Sequence, residues 1–454
     1  MMRSMTLSEL ETSLNANLFG VDRTFSRVCT DSRQIFHGDV FVALKGANFD
    51  GHNFLDEVRK VGVPAILCKG TDYDLSKLEV EDTQLALGSI GAINRTLFPG
   101  FVAAITGSSG KTTVKNLVTS VLAKKAPTIG SKGNLNNEIG VPLTLLNISP
   151  FHEFAVIEMG AGKPGDIKYL CELVKPNAAL ALNALPAHLQ GMGNLSAVAE
   201  EKGSIYDSLP ADGVAIINND EPASEMWRRR ANSKILIDFS VRNPSADVYA
   251  SNLQFYGIDG MGFRVNTKNG FVDVNLKLPG VHNVSNSLAA VSFGLACGIG
   301  LDDIAIGIES VSSEAGRLTR YQPASGALVI DDCYNANPGS VRAAIDVLAE
   351  CDKRSTLILG SMQELGPESD FFHREIGKYA KDKGIENLWG LGDRIQPALE
   401  AFGRSGRWFS NKSDLIAIAV SYFGADDAVL IKGSRSEAME VIVESLINAK
   451  EISC

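Results

Sequence analysis

The sequence predicts an α/β fold in three domains, the central one built on a mainly parallel sheet. Three observations carry that expectation. The chain has 454 residues, too many for one compact core. From about residue 84, short apolar runs alternate with helical periodicity, the pattern of parallel strands covered by helices on both faces. A second, Rossmann-like series of the same kind begins near Leu328. The expected domains are 1–83, 84–314 and 315–454.

The first domain reads as small and mixed, with a helix over 6–14 and short strands over 39–44 and 65–68. The polar, acidic residues 71–82 read as a linker. In the second domain a strand over 101–106 runs into a helix over 111–124, and a strand over 154–159 into a helix over 166–174. A strand over 178–183 precedes a helix near 195–208, and 214–218 is a further strand. Leu278-Pro279-Gly280 leads into an apolar helix over 283–297. In the third domain strands over 328–331, 356–359, 387–391 and 428–431 are each followed by a helix.

Composition narrows the function. A formal net charge of -10 gives no basic face for nucleic acid. The seven cysteines are scattered and form no C-x-x-C pair, which suits reduced thiols in a cytoplasmic protein. No secretory leader is visible at the N-terminus, and no apolar run approaches membrane-spanning length, so no membrane insertion is expected.

The strongest chemical signal is Ile105-Thr106-Gly107-Ser108-Ser109-Gly110-Lys111-Thr112-Thr113. An apolar strand, a Gly-rich loop and Lys-Thr at a helix start make a triphosphate cradle, because backbone N–H groups and the helix N-terminus converge on phosphate oxygens. Lys111 is placed for the β/γ-phosphates, and Thr112 for Mg²⁺. The loop is shorter than G-x-x-x-x-G-K-[ST], since Ile105 stands where the first glycine would be. The alternative is a Gly-Ser turn before a surface helix.

Other groups are weaker alone. Glu158 ends a strand, where Mg²⁺ ligands commonly sit at the carboxyl edge of a parallel sheet. Gly160-Ala161-Gly162-Lys163-Pro164-Gly165 matches a dinucleotide fingerprint, but the next strand ends in Asn183 and not in an acid. Asn411-Lys412-Ser413-Asp414 mimics a guanine-selective motif, although helix capping explains it better. His188 follows a strand end, and Lys202 lies on the next helix. Asn283 and Asn286 share one helix face, either to satisfy local backbone or to bond an adenine. Gly316-Arg317 sets a guanidinium near the second boundary, where it can clamp phosphate, and Gly316 makes 313–320 the expected hinge.

Together these motifs resemble the Mur ligase family, cytoplasmic ATP-dependent amide-bond ligases of cell-wall precursor synthesis. The resemblance adds Thr30-Asp31-Ser32-Arg33, Gly38-Asp39-Val40-Phe41-Val42-Ala43-Leu44, Gly133-Asn134-Leu135-Asn136-Asn137-Glu138, Gly280-Val281-His282-Asn283 and Lys432-Gly433-Ser434-Arg435. Glu158-Met159-Gly160-Ala161 and Asp332-Cys333-Tyr334-Asn335-Ala336-Asn337-Pro338 are similar to the member that adds D-alanyl-D-alanine to UDP-MurNAc-tripeptide.

By position, the resemblance implies that 107–113 bind ATP, with Lys111, His188 and Lys202 as catalytic residues. Thr112, Glu158 and His188 would hold Mg²⁺, and Lys202, as a carbamate, would help hold a second ion. Asn283 and Asn286 would contact adenine, Arg317 a phosphate, and Asp332 the ribose or metal side. Thr30, Asp31 and Ser32 would meet uridine, Asn134 and Asn137 the muramoyl peptide. Asn335, Asn337, Lys432 and Arg435 would lie on the substrate side of the third domain, which receives the dipeptide. A monomer acting on small molecules is implied. Ser204 and Gln190-Gly191-Met192-Gly193 depart from the family pattern. The alternatives are a sibling ligase with another amino acid, a folylpolyglutamate synthetase, or a nucleotide-binding module without turnover.

Overall fold

The computed structural model describes residues 2–46, 49–231 and 234–449. The N-terminal region opens on the helix Leu7–Leu14, started by a reciprocal capping box between Thr6 and Glu9. Its five-stranded sheet runs in the order Asn17–Phe19, Lys77–Val80, Ala65–Cys68, Asp39–Val42, Arg27–Cys29, antiparallel only at the first pair. The stretch 71–82 is therefore no linker, because Lys77–Val80 lies second in the sheet. Leu78 and Val80 enter the core. Lys77 is buried beside them, with its ammonium 2.9 Å from Glu79 Oε1 and donating to the Thr71 carbonyl. A satisfied charge inside a strand is what the polar sequence concealed.

The helix Thr83–Thr96, capped by Asp82, ties this region to the next. Ala86, Leu87 and Ile90 complete the N-terminal core. At its far end, Asn94 donates to the carbonyls of Leu145 and Ile148, and Arg95 to those of Val174 and Lys175.

The central sheet has nine strands, in the order Gly270–Leu276, Met261–Thr267, Val248–Phe255, Ile235–Ser240, Val214–Asn218, Ala178–Ala181, Phe101–Thr106, Phe154–Glu158, Thr128–Gly130. All neighbours are parallel except across the ribbon formed by the first three. Sequence periodicity did not foresee that ribbon. Helices Lys111–Leu122 and Val281–Ala296 bury their apolar faces on one side of the sheet, and Asp166–Val174 with Leu195–Gly203 on the other. Phe101–Thr106 lies between two strands reached in opposite directions. A crevice opens at the carboxyl end of such a strand, where open α/β sheets take ligands.

The C-terminal sheet runs Thr319–Tyr321, Leu328–Asp332, Asp427–Lys432, Arg354–Leu359, Asn387–Leu391, Gly406–Phe409, with only the first pair antiparallel. Each of the four expected strands is present and is followed by a helix; Thr319–Tyr321 and Gly406–Phe409 are additional. In the connecting segment Gly316 has φ 76° and Leu318 φ 54°, left-handed conformations that a leucine rarely adopts. The C-terminal unit is docked on the central one. A Cβ on Gly339 would come within 2.6 Å of Leu185, and Phe372 packs against the cores of both.

Candidate active site

A cavity of about 610 Å³ lies at the carboxyl end of Phe101–Thr106, between the central and C-terminal domains. Its walls include Ser108–Thr113, Asn134, Asn137, Glu158, His188, Lys202, Asn283, Asn286, Arg317, Asp332, Asn335, Asn337 and Lys432. Residues more than three hundred positions apart in the chain are thus brought to one place. Gly107 lies just beneath, at the root of the loop.

The loop turns into its helix at Gly110, with φ 80°, and Lys111 donates to the Gly107 carbonyl at 2.8 Å. Asn183 grips the loop's crown. Its Oδ1 accepts from Ser108 N at 2.9 Å and Ser109 N at 3.0 Å, and its Nδ2 donates to the Ser109 carbonyl at 3.0 Å. The Ser108 hydroxyl is fixed in turn by the Leu185 main chain. Burial pushes the Lys111 ammonium below its ordinary range, Glu158 opposing and Arg317 adding to the effect.

Glu158 is only 1% exposed and has no ion-pair partner among the described residues. Its oxygens accept from Thr112 Oγ1 at 3.0 Å and Asn136 Nδ2 at 2.8 Å, and its backbone N–H donates to Ser131. A hydroxyl and a buried carboxylate are hard oxygen donors, the set that Mg²⁺ takes alongside phosphate and water. Among the described residues no three or more of His, Cys, Asp and Glu are grouped to hold a metal. Mg²⁺ bound mainly through phosphate needs only one or two carboxylates, so the residues present fit it.

Lys202 is 2% exposed, and its Nζ has neither a hydrogen bond nor an ion pair among the described residues. Burial first, and then Lys111, bring its pKa down to about 7, Glu201 opposing. His188 has φ 55° and heads the short helix Leu189–Met192. Its Nδ1 lies 2.5 Å from Glu364 Oε2 of the C-terminal domain. Burial holds the imidazole below its ordinary range, with Glu364 working against that.

From the connecting segment, Arg317 donates to Thr112 Oγ1 at 2.9 Å and lies 3.9 Å over the Tyr334 ring. Asn283 bonds the Pro279 carbonyl and accepts from Asn286 Nδ2, which fixes both amides on one face of Val281–Ala296. Lys432 is buried, its Nζ 2.5 Å from Asp332 Oδ2 and 2.9 Å from the Asn335 carbonyl. Burial raises the Asp332 carboxyl, and Lys432 opposes that rise. Asn337 caps the helix Pro338–Ala349 through Ser340.

Some expected residues lie elsewhere. Thr30, Asp31 and Ser32 are outside the cavity walls. Asp31 caps Ser32–Gln34 and pairs with Arg33, which lowers its carboxyl to about 2. Arg435 is exposed and pairs with Glu440 at 3.1 Å. The two decoy motifs have structural explanations. In the loop 160–165, Gly162 and Lys163 donate to Asp166, and Gly165 to Glu201. Asn411 caps the helix Lys412–Tyr422. Of the departures from the family pattern, Met192 is a core residue and the Ser204 hydroxyl donates to the Glu201 carbonyl at 2.6 Å. Asn136, Asn183, Tyr334 and Glu364 are contributors that sequence reasoning did not single out. Asn136 and Tyr334 lay inside quoted motifs, while the parts played by Asn183 and Glu364 depend on contacts made only in three dimensions.

A phosphate loop at the switch point of a parallel sheet, with a second α/β domain closing the same cavity, defines a multidomain nucleotide-binding protein. Comparison with known proteins is more specific. Residues 105–294 match the Mur ligase middle domain, 316–435 the Mur ligase, glutamate ligase domain, and 24–88 the Mur ligase family, catalytic domain. The sequence is 41% identical over 448 residues to UDP-N-acetylmuramoyl-tripeptide–D-alanyl-D-alanine ligase of Escherichia coli (strain K12), covering 98% of this chain and 99% of that one. The fold superposes on a crystal structure of MurF from Acinetobacter baumannii with a TM-score of 0.93 at 34% identity, covering 98% and 99% of the two chains. A MurF ligase from Thermotoga maritima in complex with ADP gives 0.85 at 26% identity, covering 93% and 97%. The chain belongs to the Mur ligase family.

Proposed function

We propose that this chain is an ATP-dependent amide-bond ligase that adds D-alanyl-D-alanine to UDP-N-acetylmuramoyl-tripeptide, the last cytoplasmic ligation of peptidoglycan precursor synthesis. The observation that carries the reading is the shared cavity, in which a phosphate loop faces groups of a second domain across about 610 Å³. The names of its relatives support this substrate pair over those of sibling ligases, and the ADP complex of a relative supports ATP as co-substrate.

In this reading the terminal carboxylate of the tripeptide attacks the γ-phosphorus, ADP leaves, and an acyl phosphate forms. The dipeptide amine then attacks the acyl carbon, and phosphate departs with the bridging oxygen. Lys111 and Arg317 face the transferring group and offset its charge. Asn283 and Asn286 meet adenine, Asp332 the ribose side, and Asn335 and Asn337 the dipeptide side. Thr30–Ser32 hold uridine, with Asn134 and Asn137 beside the peptide. Mg²⁺, when bound, spreads the negative charge of the phosphates; Thr112, Glu158, His188 and carbamylated Lys202 are the residues that would hold two such ions. Carbamylation needs a neutral amine, and a lysine with pKa about 7 is largely neutral just above that pH. The docked C-terminal domain excludes water that would hydrolyse the acyl phosphate.

The test is phosphate release with each substrate omitted in turn. Sustained turnover requires ATP, tripeptide and dipeptide together. No turnover with all three substrates would indicate a nucleotide-binding module, equal turnover without dipeptide an ATPase, and equal turnover with a single amino acid a sibling ligase.

A further inference from the structure

Two non-glycine residues with left-handed backbone meet across the domain boundary. His188 has φ 55° and Glu364 φ 63°, conformations that persist only where surrounding contacts impose them. Their side chains touch, Nδ1 to Oε2, at 2.5 Å, and Gln190 N donates to the Glu364 carbonyl at 3.3 Å. The loop that carries Glu364 follows the strand Arg354–Leu359 and is held from behind. His373, fully buried, accepts from Met362 N at 3.0 Å, and Gln363 N donates to Ser434 Oγ at 2.8 Å. The His188 and Glu364 side chains are 40% and 56% exposed, and a pair so open to water adds little to fold stability. Stability therefore does not account for two strained residues aimed at each other.

We propose that Glu364 is a positioning residue for His188. A carboxylate at Nδ1 takes that nitrogen's proton in a hydrogen bond, fixes the tautomer and leaves the Nε2 lone pair for the cavity. His188 stands on the central domain and Glu364 on the C-terminal one. The outer carboxylate of the metal site thus arrives only with the docked domain, and full metal affinity waits for the domain that brings the dipeptide. This inference rests on the ligase reading in taking His188 as a Mg²⁺ ligand.

Mn²⁺ is the probe, its free fraction read by electron paramagnetic resonance with a non-hydrolysable ATP analogue present. Glu364→Ala is expected to weaken Mn²⁺ binding at least about tenfold, the usual effect of losing an outer-shell partner. Glu364→Gln keeps an acceptor oxygen for Nδ1–H and is expected within about threefold of wild type. Binding of the analogue without metal should be unchanged in both, which a merely structural lesion would not allow. Wild-type Mn²⁺ affinity in Glu364→Ala, equal losses in both variants, or a matching loss of metal-free analogue binding would each overturn the proposal. Wild-type protein without saturable Mn²⁺ binding would instead remove the metal assignment of the ligase reading, and this inference with it.

Discussion

Asn183 occupies the Ser108 and Ser109 N–H groups, so in the proposed ligase it would decide which loop donors are left for a phosphate. Asn183→Ala is expected to raise the KM for ATP at least about tenfold, close to 1.4 kcal/mol, with little change in KM for the dipeptide. Steady-state kinetics decides it, and an unaltered KM for ATP would show that the loop keeps its shape unaided. The sequence identifies Asn183 only as the absence of an acid. Its real partner is a loop 75 residues earlier, a distance that no local pattern spans. Lys202 shows the same limit from the other side. Its position came from family resemblance, and its chemistry becomes visible only once burial without a partner is seen. The sign of its pH effect follows. A base whose folded pKa lies near 7, below its unfolded value, binds fewer protons when folded between those values. Stability of the unmodified protein therefore rises with pH from about 7 toward the ordinary lysine range, by up to about 1.4 kcal/mol per unit. In carbon-dioxide-free buffer, wild type should gain on Lys202→Met over pH 7 to 9 in denaturant melts. Parallel curves would mean that Lys202 is solvated. Short carboxylic acids should partly restore activity to Lys202→Ala, because the proposed carbamate is an anion.

At the scale of elements, the parallel strands and their helices were legible because apolar runs and helical periodicity alternate without interruption. Phe154–Glu158, Asp166–Val174 and Asn387–Leu391 are of this kind. Lys77–Val80 was not, because a buried lysine satisfied by Glu79 reads as a polar linker. The ribbon 248–276 escaped because apolar residues such as Phe255 and Phe271 stand on its exposed face, which blurs the two-residue alternation. Gly316 marked the connection between the domains, whereas the left-handed Leu318 beside it had no signal in the sequence. Gly316→Ala would place a Cβ 3.2 Å from Tyr334 N at a positive φ, costing on the order of 1 kcal/mol. Because Arg317 follows directly and reaches Thr112, the expected result is a several-fold fall in kcat with a small shift in the melting transition. Unchanged kcat would separate the hinge from the chemistry.

For the whole molecule, the arrangement matters more than any one group. The helix Thr83–Thr96 joins the N-terminal and central cores into one body. The C-terminal domain meets the central one at Gly339, Glu364 and Arg317, through the Arg320–Asp259 ion pair, and through Phe372 on the central core and Ile258 on the C-terminal core. Such an interface permits motion, and motion is what a ligase needs to admit three substrates and then exclude water. The central claim is that one cavity activates a carboxylate as an acyl phosphate and then passes it to an amine. It is tested most directly by labelling the tripeptide's terminal carboxylate with ¹⁸O and weighing the phosphate released during ligation. One labelled oxygen in each phosphate is the predicted result, since the bridging atom leaves with phosphorus when the amide forms. Unlabelled phosphate alongside normal product would contradict the account.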